Sequence, residues 1–227
     1  MPENHLIETN DLHFILKSPP PWTLQGEGII LVFRFKKEWV ESHANLPKHL
    51  KGKFKGGLGY VMLVNYEKSP VGPYRELLLI PGKFRKSREQ AITKIYVDSE
   101  ASKGNGRANW GIPKEFLPFT WIKEPGKDLI QLKSGDQTVF SAEITHGGLP
   151  FPVTTALLPI NLCQTWNKLK YYTKPNGYGW GKLAKVKKLE LNPDFFPDIR
   201  GIKPLFGVKV NPFHIKFPEP SYADELL

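Results

Sequence analysis

Cysteine is almost absent from this chain: Cys163 is the only one in 227 residues. That excludes an internal disulfide and any cysteine-cluster metal site, and it fits a reducing, cytoplasmic location. Long apolar runs are missing too. The longest, Gly28 to Phe33, is ended by Arg34, far short of the roughly 20 residues a spanning helix needs, so no membrane partner is expected. Met-Pro-Glu-Asn-His at the start has no basic segment leading into an apolar one, and no secretory signal is expected. The six histidines, His5, His13, His43, His49, His146 and His214, are scattered without zinc-ligand spacing, so no metal site is expected. Gly104-Asn105-Gly106 begins like a dinucleotide fingerprint, but Asn109 occupies the third glycine position. The chain has no Gly-Lys-Ser/Thr phosphate loop and no Gly-x-Ser-x-Gly nucleophile elbow, which leaves His146-Gly147-Gly148 as a turn. Arginine is scarce, with six against 26 lysines at a net charge of +10. Base readout depends on the arginine fork, so the charge reads as a solubilising surface. The densest stretches are Lys48/Lys51/Lys53/Lys55 and Lys182/Lys185/Lys187/Lys188.

What the chain has is material for short strands. Hydrophobic residues make up 40% and aromatics 12%, with 21 prolines and 20 glycines to punctuate them. Residues 28–36 predict a strand buried on both sides; Tyr60 to Tyr66, Glu76 to Ile80 and Ile92 to Asp98 predict others. Phe119 to Lys123, Leu129 to Lys133 and Thr138 to Thr145 predict a meander turning at Pro125-Gly126 and Ser134-Gly135-Asp136. Val153 to Leu162, Leu183 to Leu191, Phe206 to Val210 and His214 to Phe217 are further candidates. A short helix is expected from Glu38 to Ala44. The reading is a mainly β (α+β) fold, an antiparallel barrel or cone with a few short helices. One domain is expected over residues 1–227, with 1–20 as a mobile arm.

Ser99 to Trp110 breaks the β rhythm. Ser99 is placed to cap a helix starting at Glu100, though Gly104 and Gly106 predict a short or irregular one. Pro113 ends helical geometry just before Lys114. The neighbours of Lys114 are mostly apolar: Trp110, Ile112, Pro113, Phe116 and Leu117. Desolvation disfavours the ammonium form of a lysine, and a neutral amine near pH 7 can attack a carbonyl to form a Schiff base. By its residues alone, Lys114 also reads as a surface lysine at the end of a strand.

The run Tyr96-Val97-Asp98-Ser99-Glu100-Ala101, then Gly106-Arg107, then Pro113-Lys114, resembles the acetoacetate decarboxylase family at fixed spacing. Gly72-Pro73-Tyr74-Arg75-Glu76 stands where that family places an acidic active-site residue. The resemblance spans about residues 72 to 115 and is looser from 20 to 66. It implies a cofactor-free lyase in which Lys114 forms an iminium with a keto acid or ketone. Glu76 would act as proton donor or polariser, and the default reaction would be decarboxylation of a β-keto acid. Substrate contacts are expected from Tyr74, Trp110, Arg107 and Gln25, with Trp22 and Phe116 extending an apolar lining. Arg107 reads also as a helix-end arginine pairing with Asp98 or Glu100. A homo-oligomer is expected.

The sequence departs from the family pattern at points that bear on the reaction. The family's decarboxylases carry an arginine before the first long strand; here the stretch is Leu24-Gln25-Gly26-Glu27-Gly28. A family carboxylate on the next strand is absent from Tyr60-Val61-Met62-Leu63-Val64, and the lysine after the catalytic one is Glu115. Glu115 would favour a charged Lys114 if close, although consecutive residues point apart in a strand. Two other readings follow: a Schiff-base aldolase–dehydratase acting on a larger apolar keto compound, and a non-catalytic carrier of small ligands. For nucleic acid, the dispersed lysines predict only weak, salt-sensitive binding without sequence preference. Titrating labelled duplex and single-stranded DNA at two salt concentrations checks this.

Overall fold

Three strands of apolar residues form the middle of the molecule: β1 (Trp22–Phe33), β2 (Gly59–Lys68) and β3 (Tyr74–Ile80). The computed structural model describes residues 18–157 and 159–224. All but the last three residues of the expected N-terminal arm lie outside that range. Successive residues of a strand face opposite sides, and here both sides are buried. Ile29, Leu31 and Phe33 of β1 join Val61, Leu63, Leu77 and Leu79 in one core. Trp22, Leu24 and Val32 join Tyr60, Val64, Tyr66, Tyr74 and Leu78 in a second core on the other face.

The central strands belong to a ten-stranded sheet completed by β6 (Lys94–Val97), β7 (Glu115–Phe116), β8 (Phe119–Glu124), β9 (Lys127–Ser134), β10 (Gln137–Thr154), β13 (Asn176–Leu191) and β14 (Phe206–Phe217). Its order is β7-β6-β3-β2-β1-β14-β13-β10-β9-β8, antiparallel except for β6 with β7. The two edge strands, β7 and β8, are separated in sequence by Leu117 and Pro118 alone. A link of that length spans roughly 11 Å at most, so the sheet must curl until its edges meet. The closure is visible where Arg75 donates to the Phe119 carbonyl at 3.3 Å, and where Ile130, Phe140 and Ile144 pack in the same core as Leu63 and Leu77. The expected barrel-like β fold is therefore the observed one.

A second sheet, β15-β12-β11-β5-β4, covers part of the outer face. It contains β4 (Lys83–Phe84), β5 (Glu89–Gln90), β11 (Leu162–Trp166), β12 (Leu169–Thr173) and β15 (Ser221–Asp224). Among the described residues there are two α-helices, α1 (Lys37–His43) and α2 (Glu100–Trp110), and neither is long and apolar enough to cross a membrane. Three expectations need correction. Val153 to Leu162 is not a strand: β10 ends at Thr154, a turn follows, and β11 begins at Leu162. Phe206 to Val210 and His214 to Phe217 are one strand, because Asn211 and Pro212 are taken up as a bulge against both β1 and β13. The third, the regularity of α2, belongs with the site below.

The curled sheet encloses a buried ionic cluster. Lys209 Nζ lies 2.9 Å from Glu27 Oε2 and 2.8 Å from Asp128 Oδ2. Trp121 donates to Asp128 at 2.9 Å, and Lys123 and Asn65 donate to Glu27 at 2.8 and 3.2 Å. Burial alone would raise the Glu27 carboxyl, but hydrogen bonds from Lys123 and Lys209, together with the Lys209 charge, bring it down from 4.5 to about 2. The pairing therefore stabilises the fold above the ordinary carboxylate range and is lost as pH falls from about 4.5 towards 2. Glu27→Gln should cost about 3 kcal/mol at pH 7, and the gap from wild type should narrow below pH 4. Urea unfolding followed at pH 7 and pH 3 tests both statements.

Candidate active site

α2 begins as its sequence predicts, with Ser99 Oγ accepting the Ser102 N–H at 3.1 Å. It runs unbroken for 11 residues through Gly104 and Gly106 and stops at Gly111, whose positive φ of 62° closes the end. The glycines do not fray it, because Gly106 has a packing task. A Cβ built there would lie 2.7 Å from Lys114 Cδ and 2.9 Å from Cε. After Gly111 the chain doubles back, and the Lys114 stem passes across the bare backbone of Gly106. Pro113 lies beyond this stop, so Gly111 and not the proline terminates the helix.

That path carries the Lys114 amine into the second core, where the residue is 4% exposed. Its Nζ lies 3.2 Å from Glu76 Oε2, 2.9 Å from Ser102 Oγ and 4.9 Å from the centre of the Tyr74 ring. Glu76 comes from the middle of β3, beside Val64 of β2 and Val97 of β6. Its other oxygen accepts the Tyr66 hydroxyl at 3.0 Å. Burial, and then the Glu76 charge, pushes the phenols of Tyr66 and Tyr74 well above their usual range, so both stay protonated, and Tyr66 serves as a neutral donor to Glu76. Glu115 is held by Lys94 at 2.7 Å, away from Lys114.

Two cavities meet at Glu76. The smaller, about 30 Å³, is lined by Lys114, Glu76, Tyr74, Trp110 and Trp22 among others, and has room for little more than one water. Trp110 and Trp22 pack edge to face at 5.0 Å as its apolar wall. The larger, about 150 Å³, is lined almost wholly by apolar groups, including Met62, Leu78, Ile160, Phe213 and Ile215. Tyr66, Glu76, Leu78, Ile92 and Phe217 border both. Among the described residues, no lysine or arginine lines the larger one, and the one basic group there is His214.

Lys114, Glu76, Tyr74 and Trp110 are thus brought together as expected. Gln25 and Arg107 are not. Gln25 lies on β1 with the opposite parity to Trp22 and Leu24 and borders neither cavity. Arg107 follows Gly106, so the helical turn carries it off the lysine face, and its guanidinium stacks 5.2 Å from the Trp166 ring. Its expected acidic partners are taken, Asp98 by Arg75 and Glu100 by Lys103. Phe116 is 43% exposed. The reading of the residues missed Ser102 and Tyr66. The i, i+4 spacing of Ser102 and Gly106 on α2 was an available signal for the first; only the β2–β3 register identifies the second.

Comparison with known proteins supports the same frame. The sequence profile of the acetoacetate decarboxylase (ADC) family matches residues 12–178. The chain belongs to this family. Its fold is similar to that of acetoacetate decarboxylase from Legionella pneumophila, at 17% identity and a TM-score of 0.69 over 100% of both chains. An acetoacetate decarboxylase-like enzyme from Sphingomonas wittichii is 13% identical, with a TM-score of 0.63 over 92% of this chain and 95% of that one. The enduracididine biosynthesis enzyme MppR, complexed with the condensation product of pyruvate and imidazole 4-carboxaldehyde, is 15% identical, with a TM-score of 0.61 over 92% of each chain. A search of curated protein sequences finds no significant match.

The glycine under the lysine yields a prediction that separates stability from site geometry. Gly106→Ala should raise helix propensity by up to about 1 kcal/mol and leave the fold intact, because the colliding atoms belong to a flexible side chain. It should displace the Lys114 amine and cut its reaction with carbonyl probes at least about tenfold. Thermal unfolding and reductive labelling of the same preparation measure the two effects separately.

Proposed function

We propose that this protein is a cofactor-free Schiff-base lyase acting on a keto compound through Lys114. The observation that carries the reading is a lysine amine buried beside a small cavity that adjoins a larger apolar one at Glu76, with a carboxylate and a hydroxyl both within hydrogen-bond distance of it. Transfer of one proton from Nζ to Glu76 Oε2, already at hydrogen-bond distance, frees the amine lone pair. The amine adds to a ketone, water leaves, and the resulting iminium draws electrons from an adjacent bond. Loss of carbon dioxide or of an α-proton gives an enamine. Protonation at carbon, then hydrolysis, returns the product and Lys114. Tyr66 holds the free oxygen of Glu76 and keeps the carboxylate aimed at the amine.

The lining of the larger cavity favours an apolar keto compound over acetoacetate. A carboxylate beside the imine would be left without a cationic partner, since Arg75 is engaged with Asp98 and Arg107 with Trp166. A charge-assisted hydrogen bond contributes about 1.5–3 kcal/mol, so its absence predicts acetoacetate turnover roughly one to two decades below that of a decarboxylase which has it. The aldolase–dehydratase reading gains support from MppR, whose structure holds a condensation product of two carbonyl compounds on the same fold.

Borohydride reduction with acetoacetate, acetone, acetophenone and aromatic aldehydes, followed by mass mapping, tests the reading. Trapping at Lys114 with the apolar carbonyls is expected, absent in Lys114→Ala, together with slow release of carbon dioxide from acetoacetate. Rapid decarboxylation would overturn the substrate preference. A folded protein that traps none of these carbonyls would be a ligand carrier and not an enzyme.

A further inference from the structure

Ser102 is fully buried and touches the lysine amine, yet it borders neither cavity. Glu76 borders both. The carboxylate therefore faces the cavities through which a substrate would reach Nζ, while the hydroxyl is shut off from both. A hydroxyl oxygen accepts through its lone pairs, and in this structure the Ser102 oxygen accepts from the lysine nitrogen.

The chemistry changes what the nitrogen can offer. An ammonium has three N–H bonds, and three partners surround it: Glu76 Oε2, Ser102 Oγ and the face of the Tyr74 ring. A protonated imine has one N–H, so it can satisfy one partner only. If Glu76 took that bond, the carboxylate would be tied to nitrogen while the α-carbon of the substrate must lose or gain a proton. We propose that Ser102 Oγ accepts the iminium N–H and thereby releases Glu76 to move the proton at the substrate α-carbon. In that step the α C–H bond breaks and its proton passes to a Glu76 oxygen. The C–H electron pair becomes the C=C bond of the enamine, and the π pair of C=N⁺ returns to nitrogen; the reverse transfer restores the iminium. Ser102 is a positioning residue in this account. The inference rests on the imine reading above and adds a division of labour to it.

The test is deuterium exchange into the methyl group of acetophenone in D₂O, followed by NMR, alongside borohydride trapping of the same samples. Wild type, Ser102→Ala, Glu76→Gln and the double variant are compared after circular dichroism has established that each is folded. Ser102→Ala should still trap acetophenone at Lys114, while exchange per trapped imine falls about tenfold to a hundredfold. In the Glu76→Gln background the same substitution should change exchange little, because there is no carboxylate left to release. Wild-type exchange in Ser102→Ala, an undiminished further loss in the double variant, or failure of Ser102→Ala to trap would each overturn the assignment. Absence of trapping in wild type is a separate result, which removes the imine reading itself.

Discussion

A lysine ammonium can be kept from water only if its N–H groups find partners, and the placement of α2, β2 and β3 follows from meeting that need at Lys114. β3 brings the Glu76 carboxylate, α2 brings the Ser102 hydroxyl, and Tyr74 offers its ring face. Each partner is secured in turn: Glu76 by Tyr66, Ser102 by the Ser99 cap of its own helix, and the lysine stem by Gly106. An unpaired buried charge costs several kcal/mol, so removing any one of these supports would be felt at the nitrogen.

Among the described residues two lysines are buried, Lys114 and Lys209, and their surroundings differ. Lys209 is clamped between two carboxylates inside the curled sheet, where the described contacts join β1, β8, β9 and β14. Its role is to fasten the closure. Lys114 has one carboxylate, a neutral hydroxyl and a cavity beside it. The curl of the sheet makes both sites available, because it turns one face inward around Lys209 and leaves the other to be covered by α2 and the second sheet.

The cavity chemistry then bears on specificity. Apolar side chains from β2, β3 and β14 line the larger space, and the cations that would anchor a carboxylate are committed elsewhere. On the proposed function, substrate selection by such a surface would rest on removing apolar area from water, at about 25 cal/mol per Å². It would discriminate by size and polarity, without the directional contact that a guanidinium would supply.

Much of this was legible in local sequence. Alternation and turn residues identified the strands; Ser99 identified the start of α2; the resemblance carried by Tyr96 to Lys114 pointed to the family to which the chain belongs. These depend on the backbone and on nearest neighbours, which a sequence carries directly. The tertiary structure alone decided the rest. It placed Gln25 on the wrong face through the parity of β1, turned Arg107 away by one helical step, and made a glycine that looked like a weakness of α2 into the surface under the lysine. It also brought Phe213 and Ile215, about 100 residues beyond Lys114, to the larger cavity beside Glu76. Those outcomes depend on register, on the curl that a two-residue link forces on a ten-stranded sheet, and on which charges have already found partners. None of these is a property of a short stretch of chain.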